Sequence, residues 1–127
     1  MSVKVEKLRV AVDQRGDVFE PLDAQGLSSQ RNVHVVWTEP GHIRGNHFHR
    51  QGVEVSAVRG PALVRYREGT DLHELSVPQG EVWRFTFPPG VVHAFKNTGT
   101  APLIIASFNS IAHDPANPDT ERDPILT

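Results

Sequence analysis

Apolar and polar residues alternate with period two through several short stretches of this chain. In one of them Val64 and Tyr66 fall on one side, and Leu63, Arg65 and Arg67 on the other. Runs rich in β-branched and aromatic residues recur at Lys4–Val12, Val33–Thr38, Val53–Val58, Ala62–Arg67, Asp71–Val77, Glu81–Phe87, Val91–Lys96 and Leu103–Asn109. Each predicts a β-strand. Turn signals separate them, among them Glu39-Pro40-Gly41, Arg59-Gly60-Pro61, Glu68-Gly69-Thr70 and Pro88-Pro89-Gly90. Ten glycines and ten prolines interrupt the chain, so no long amphipathic helix fits, and at most one helical turn is expected, around Asp23–Ser29. Many short strands at regular spacing predict an all-β sandwich or small barrel.

A chain of 127 residues supports one domain with its own core. With 13 basic and 15 acidic residues the net charge is −2, which lacks the basic footprint of a nucleic-acid binder. The absence of cysteine excludes disulfides, thiolate zinc sites and cysteine nucleophiles. Pro102–Phe108 is the longest apolar run, far short of the roughly 20 residues of a membrane helix. Met1–Asp13 alternates charge with valine and has no signal-peptide core. A cytoplasmic protein that engages neither nucleic acid nor membrane is expected. His113–Thr127 differs in kind, with Pro115, Pro118 and Pro124 and little apolar content. It reads either as a frayed end or as an extended arm lying along the barrel or a partner subunit.

Seven histidines are many for this length, and their placement carries the chemistry. His47-Phe48-His49 puts two imidazoles on one face of a strand, with Cα atoms about 6.6 Å apart. Glu54 follows five residues after His49, and His93 comes after the turn at Pro88-Pro89-Gly90. Three histidines and a carboxylate suit a borderline divalent ion, zinc first, with iron, nickel or manganese as alternatives.

Gly41-x5-His47-x-His49-x4-Glu54-x5-Gly60 resembles the first cupin motif, and Pro88-x-Gly90-x2-His93-x3-Asn97 the second. The resemblance implies a double-stranded β-helix, a small jelly-roll barrel, with an ion held in its mouth by His47, His49, Glu54 and His93. The opening Asp13-x-Arg15-Gly16-x2-Phe19-Glu20 is similar to that of dTDP-4-dehydrorhamnose 3,5-epimerases. Glu39-Pro40-Gly41-x3-Gly45-Asn46-His47-x-His49, Val64-Arg65-Tyr66-Arg67 and the tail Asp114-Pro115-x2-Pro118-Asp119-Thr120 resemble the C-terminal cupin half of bifunctional capsular polysaccharide enzymes. Those enzymes join a reductase to a zinc cupin that epimerises a UDP-4-keto-6-deoxy-N-acetylhexosamine at C3. The likeness covers the cupin half alone, so a separate reductase is an expected partner in the pathway.

The resemblance implies proton transfer beside the ketone of a nucleotide-linked 4-keto sugar in surface polysaccharide biosynthesis, with the ion acting as Lewis acid on the ketone oxygen. Liganded histidines are poor bases, so His34 and Tyr66 are the candidate catalytic bases. Related 3,4-ketoisomerases use a similar Arg-Gly-x-His-x-His segment without metal, and on that reading His47 or His49 is the base. Arg15, Arg44, Arg65 and Arg67 lie near motif positions and are candidates to grip a diphosphate. Glu20, in the epimerase-like opening, joins them as a candidate substrate contact. Lys4–Val12 would be a strand that pairs across a two-fold axis, and the epimerase likeness also implies a homodimer. Two alternatives stay open: a metal-dependent cupin of oxygenase type, and a sugar-binding cupin module without catalysis.

Overall fold

The computed structural model describes residues 2–127. Its elements in chain order are β1 (Lys4–Lys7), β2 (Ala11–Asp13), β3 (Gly16–Val18), the single helical turn α1 (Ala24–Leu27), β4 (Asn32–Thr38), β5 (Ile43–His49) and β6 (Glu54–Arg59). There follow β7 (Ala62–Glu68), β8 (Asp71–Val77), β9 (Val82–Phe87), β10 (Val92–Asn97), β11 (Leu103–Asn109) and β12 (Thr120–Arg122). Ten strands form two five-stranded sheets, ordered β1-β9-β6-β11-β4 and β12-β5-β10-β7-β8. Every pairing is antiparallel. The architecture is the all-β jelly-roll barrel, the double-stranded β-helix that the motifs imply.

Period two decides what lies inside. Along β7, Ala62, Val64 and Tyr66 are buried, while Leu63, Arg65 and Arg67 between them are only partly covered. Val58 of β6, Phe85 and Phe87 of β9, Phe95 of β10 and Ile105 of β11 join Val64 and Tyr66 in one core cluster between the sheets. Side chains from two inner faces interdigitate there, as in any two-sheet core. Asp23 caps α1, its carboxylate accepting from the Gly26 amide at 2.7 Å.

Two features depart from the sequence expectation, and a third bears on the tail. The stretch Lys4–Val12 is two strands. β1 pairs with β9 of its own chain, the Leu8 amide donates to the Val82 carbonyl at 2.8 Å, and β2 then turns back with β3 into a hairpin. The hairpin's Val12 and Val18 are 74% and 71% exposed, so their side chains are no part of the core that the alternation suggests.

The second departure is a bulge in β5. His47 pairs with His93 and Gly45 with Ala94, which leaves Asn46 as the extra residue. Gly45 (φ 85°) and Asn46 (φ 57°) are both left-handed, a region open to glycine and tolerated by asparagine. A Cβ on Gly45 would come within 2.6 Å of the His93 carbonyl oxygen.

The third is β12, in the tail that reads as a frayed end or an extended arm, which extends the second sheet beside β5. Beyond β12 the last residues are held by Asn46. Its Nδ2 donates to the Leu126 carbonyl at 2.9 Å, and its Oδ1 accepts from the amides of Ile125 and Leu126, both at 3.0 Å. Arg65 donates to the Ile125 carbonyl at 2.8 Å, Arg67 pairs with Asp123, and Leu126 is buried.

Asn46→Gly keeps the permitted backbone and removes all three side-chain bonds. We expect about 1–3 kcal/mol of destabilisation in denaturant titration, the cost of leaving buried polar partners unmatched. Faster amide exchange should appear at Ile125 and Leu126. Unchanged protection at those two amides would show that the segment is held without Asn46.

Candidate metal centre

Four side chains converge at the mouth of the barrel. His47 and His49 end β5, His93 lies near the start of β10, and Glu54 opens β6. The histidines belong to the second sheet and Glu54 to the first, so the cluster ties the two sheets together. One ligand atom from each lies within 4.8 Å of every other. The Nε2 atoms of His47 and His49 are 3.8 and 2.9 Å from Glu54 Oε1, and His93 Nε2 is 3.1 Å from Oε2. The spacing His47-x-His49 and the register His47–His93 place all three rings on the inner face.

Surrounding groups fix the orientation of this set. Ser56 donates to Glu54 Oε2 at 2.7 Å, and its own oxygen is 2.8 Å from that of Ser107. Glu54 is 5% exposed. Burial opposes its ionisation, but the charge of His93 and the hydrogen-bonding imidazoles of His47 and His49 outweigh burial. They hold the carboxyl well below the ordinary carboxylate range. His93 is fully buried and lies flat on Phe87, with ring centroids 4.3 Å apart and planes 7° from parallel. Its Nδ1 is 3.0 Å from the Val91 carbonyl. A carbonyl only accepts, so Nδ1 bears the hydrogen, and in the neutral ring Nε2 turns a lone pair to the cluster. That Nε2 is buried and makes no aligned hydrogen bond. An orphaned imidazole nitrogen, an ionised carboxylate and two further imidazoles form a donor set that fits zinc or a similar divalent ion. A histidine whose second nitrogen is fixed by a carbonyl is the usual outer support of such a ligand.

His47, His49 and Glu54 form the floor of a cavity of about 240 Å³. Asn32 and His34 of β4 and Asn109 of β11 line one side of it. The other side is the arm, with His113, Asp114, Asp119 and Thr120. Asp119 accepts from the amides of Gln51 and Gly52 at 3.0 and 2.8 Å, and its Oδ2 lies 4.0 Å from His49 Nδ1. A side chain on Gly52 would run into Asn109 and Asp119, so glycine lets the arm close on the loop after His49.

The structure places His34 in the wall of the same cavity as His47, His49 and Glu54, with His93 buried behind them. Tyr66 is 7% exposed and sits inside the core, its ring 4.9 Å from that of His73 and 6.0 Å from Phe87. Burial raises its phenol above the ordinary value. Arg44 bridges β5 to β4, donating to Thr38 Oγ1 at 3.1 Å and to the Trp37 carbonyl at 2.8 Å. Arg65 and Arg67 hold the last residues of the chain. Arg15 is exposed beside Asp13 at the hairpin turn, and Glu20 is exposed beyond β3. None of these four arginines, nor Glu20, lines the cavity. Asn32, Asn109, His113 and Asp119 line it without having been singled out. Only Asp119 carried a sequence signal, as part of the tail motif.

The family model described as polysaccharide biosynthesis C-terminal domain matches residues 11–121. The spore coat polysaccharide biosynthesis protein SpsL of Bacillus subtilis (strain 168) is 27% identical over 136 residues, covering 96% of this chain and 87% of SpsL. The capsular polysaccharide assembling protein CapF from Staphylococcus aureus superposes with a TM-score of 0.69 at 25% identity, covering 93% of this chain and 34% of CapF. This chain therefore spans about a third of CapF. A dTDP sugar isomerase from Desulfovibrio desulfuricans G20 superposes with a TM-score of 0.78 at 20% identity, covering 96% of this chain and 83% of that one. A dTDP-4-dehydrorhamnose 3,5-epimerase from Sulfolobus tokodaii gives 0.73 at 17%, covering 96% and 77%. The last two share its fold. With the motifs, the barrel and the match over residues 11–121 in agreement, the chain belongs to the polysaccharide biosynthesis C-terminal domain family.

Proposed function

We propose that this protein is an epimerase or isomerase of a nucleotide-linked 4-keto-6-deoxy sugar, acting by proton transfer at the carbon beside the ketone. One observation carries the reading. The cavity holds a metal-competent cluster on its floor and, in its wall, an imidazole outside that cluster, His34. SpsL and CapF, both named for polysaccharide biosynthesis or assembly, favour a sugar substrate over dioxygen chemistry.

His47, His49, Glu54 and His93 would hold the ion. When bound, a divalent cation supplies Lewis-acid polarisation of a substrate oxygen. The chain's own groups do the rest. His34 takes the α proton, and the electron pair of the broken C–H bond moves onto the ketone oxygen. Return of a proton to the same carbon from the other face inverts it. Return to the carbonyl carbon, with loss of the neighbouring hydroxyl proton, shifts the ketone. Both outcomes balance without an oxidant or reductant. Asn32, Asn109 and Thr120 offer neutral hydrogen bonds to sugar hydroxyls or an amide. Tyr66, kept protonated by burial and placed inside the core, is left to packing.

Incubation of UDP- and dTDP-linked 4-keto-6-deoxy sugars with the protein in D2O tests the chemistry. Deuterium should enter at C3 faster than in buffer, and product coupling constants separate an epimer from a shifted ketone. His34→Asn should slow exchange by about 10²–10⁴-fold with metal content unchanged. Exchange at the original rate would remove His34 from the base role. Full activity after exhaustive chelation would pass that role to His47 or His49.

The metal assignment has its own test. Glu54→Gln keeps the side chain's shape and removes its charge. Zinc affinity, measured by competition with a chromophoric chelator, should fall by at least about 10-fold, the lower end of what loss of an outer-shell partner costs. Equal affinity in the two proteins would exclude Glu54 from the ligand set.

A further inference from the structure

The cavity that would receive the sugar contains no lysine or arginine, and Glu54, Asp114 and Asp119 line it. With Glu54 engaged by an ion, Asp114 and Asp119 still repel a phosphate from this wall, which suits an uncharged ring. A diphosphate joined to that ring must stay at the mouth. The guanidinium that meets it there must face the cavity side and be free of other partners. The arginines near the sequence motifs fail the second condition: Arg15, Arg65 and Arg67 are each paired with an acid, and Arg44 is spent on Thr38 and the Trp37 carbonyl.

Arg122 meets them. In the β12–β5 register, Thr120 lies opposite His49 and Arg122 opposite His47. Cross-strand partners share a face, as do residues two apart on one strand. Thr120 lines the cavity, so Arg122 is on that same face, about 6.6 Å further along the strand. Glu121 faces the other way and pairs with Arg50. Backbone bonds from the Arg50 amide to the Asp119 carbonyl and from the Asp123 amide to the Asn46 carbonyl, 2.9 and 2.8 Å, pin the strand on both sides of Arg122. Its side chain is exposed. Among the described residues, only Arg9 and Arg122 of the arginines make neither a side-chain hydrogen bond nor an ion pair.

We propose that Arg122 is the diphosphate-binding residue of this site, a positioning group that holds a nucleoside diphosphate at the mouth while the uncharged sugar enters between His34 and the metal-competent cluster. This rests on the nucleotide-sugar reading above and specifies how such a substrate is oriented. Charge sorting fixes the polarity: anion outward on the guanidinium, ring inward on neutral donors.

Calorimetric titration of the zinc-loaded protein with UDP, dTDP and the corresponding nucleosides tests this. Arg122→Gln should weaken UDP and dTDP binding by at least about tenfold, the loss of one charge-assisted contact, and leave nucleoside binding unchanged. Arg122→Lys should recover part of the loss. Arg9→Gln, an unpaired arginine beside the far edge strand β1, should bind as wild type. With a 4-keto sugar nucleotide, Arg122→Gln should raise KM and leave kcat within about twofold, with unchanged zinc content. The inference is overturned if Arg122→Gln binds both diphosphates within twofold of wild type, or if wild type binds neither. Diphosphate binding that depends on Arg122 without deuterium exchange would sink the isomerase reading and keep the anion site. Exchange with an indifferent Arg122 would do the reverse.

Discussion

A carboxylate buried where two sheets meet is the constraint on which this protein turns. Glu54 opens β6 in the first sheet, yet its oxygens face three imidazoles carried by the second. Burying such a charge without compensation costs several kcal/mol, and here it is matched by His47, His49, His93 and Ser56. The compensation comes from β5, β10 and β6 together, so the sheets have one arrangement at the mouth that satisfies it. The far side of His93 lies against Phe87, which passes the same constraint into the apolar core.

The arm depends on the bulge that precedes this cluster. By inserting Asn46 between His47 and Gly45, β5 turns an amide side chain outward without moving the histidines off the inner face. That amide holds Ile125 and Leu126, while Asp119 holds the loop after His49. The arm supplies β12 between these anchors and, with the residues before Asp119, one cavity wall. Two residues of the same short segment, His47 and Asn46, thus serve the ion site and the wall that encloses it.

The four ligands were legible because strand geometry makes a local pattern, His-x-His, into a spatial pair, and the cupin-like motifs set Glu54 and His93 beside it. The barrel was legible because most strands bury one face and so alternate. What alternation cannot show is which outer faces become covered. Arg65 and Arg67 look like a solvent-facing or substrate-facing pair, but the last residues of the chain lie over them. β12 is Thr-Glu-Arg, with no apolar residue to mark it as a strand. The stretch Lys4–Val12 reads as one strand because valines recur through it; Arg9 and Val10 instead lead into a hairpin whose valines stay exposed. His34 stood out only as a histidine before the first motif. Its neighbours Asn32 and Asn109 lie opposite one another on β4 and β11, a pairing that no local reading of the chain supplies.

The grip of Asn46 on Leu126 joins residues 80 positions apart, and Asp119 meets Gly52 across 67. Loops of that length close slowly, because the chain entropy is lost before the contact forms. The ligands all lie between His47 and His93, whereas the arm's share of the wall comes from residues 111–120. Opening of those few contacts alone would bare the cavity while leaving the barrel and its cluster in place.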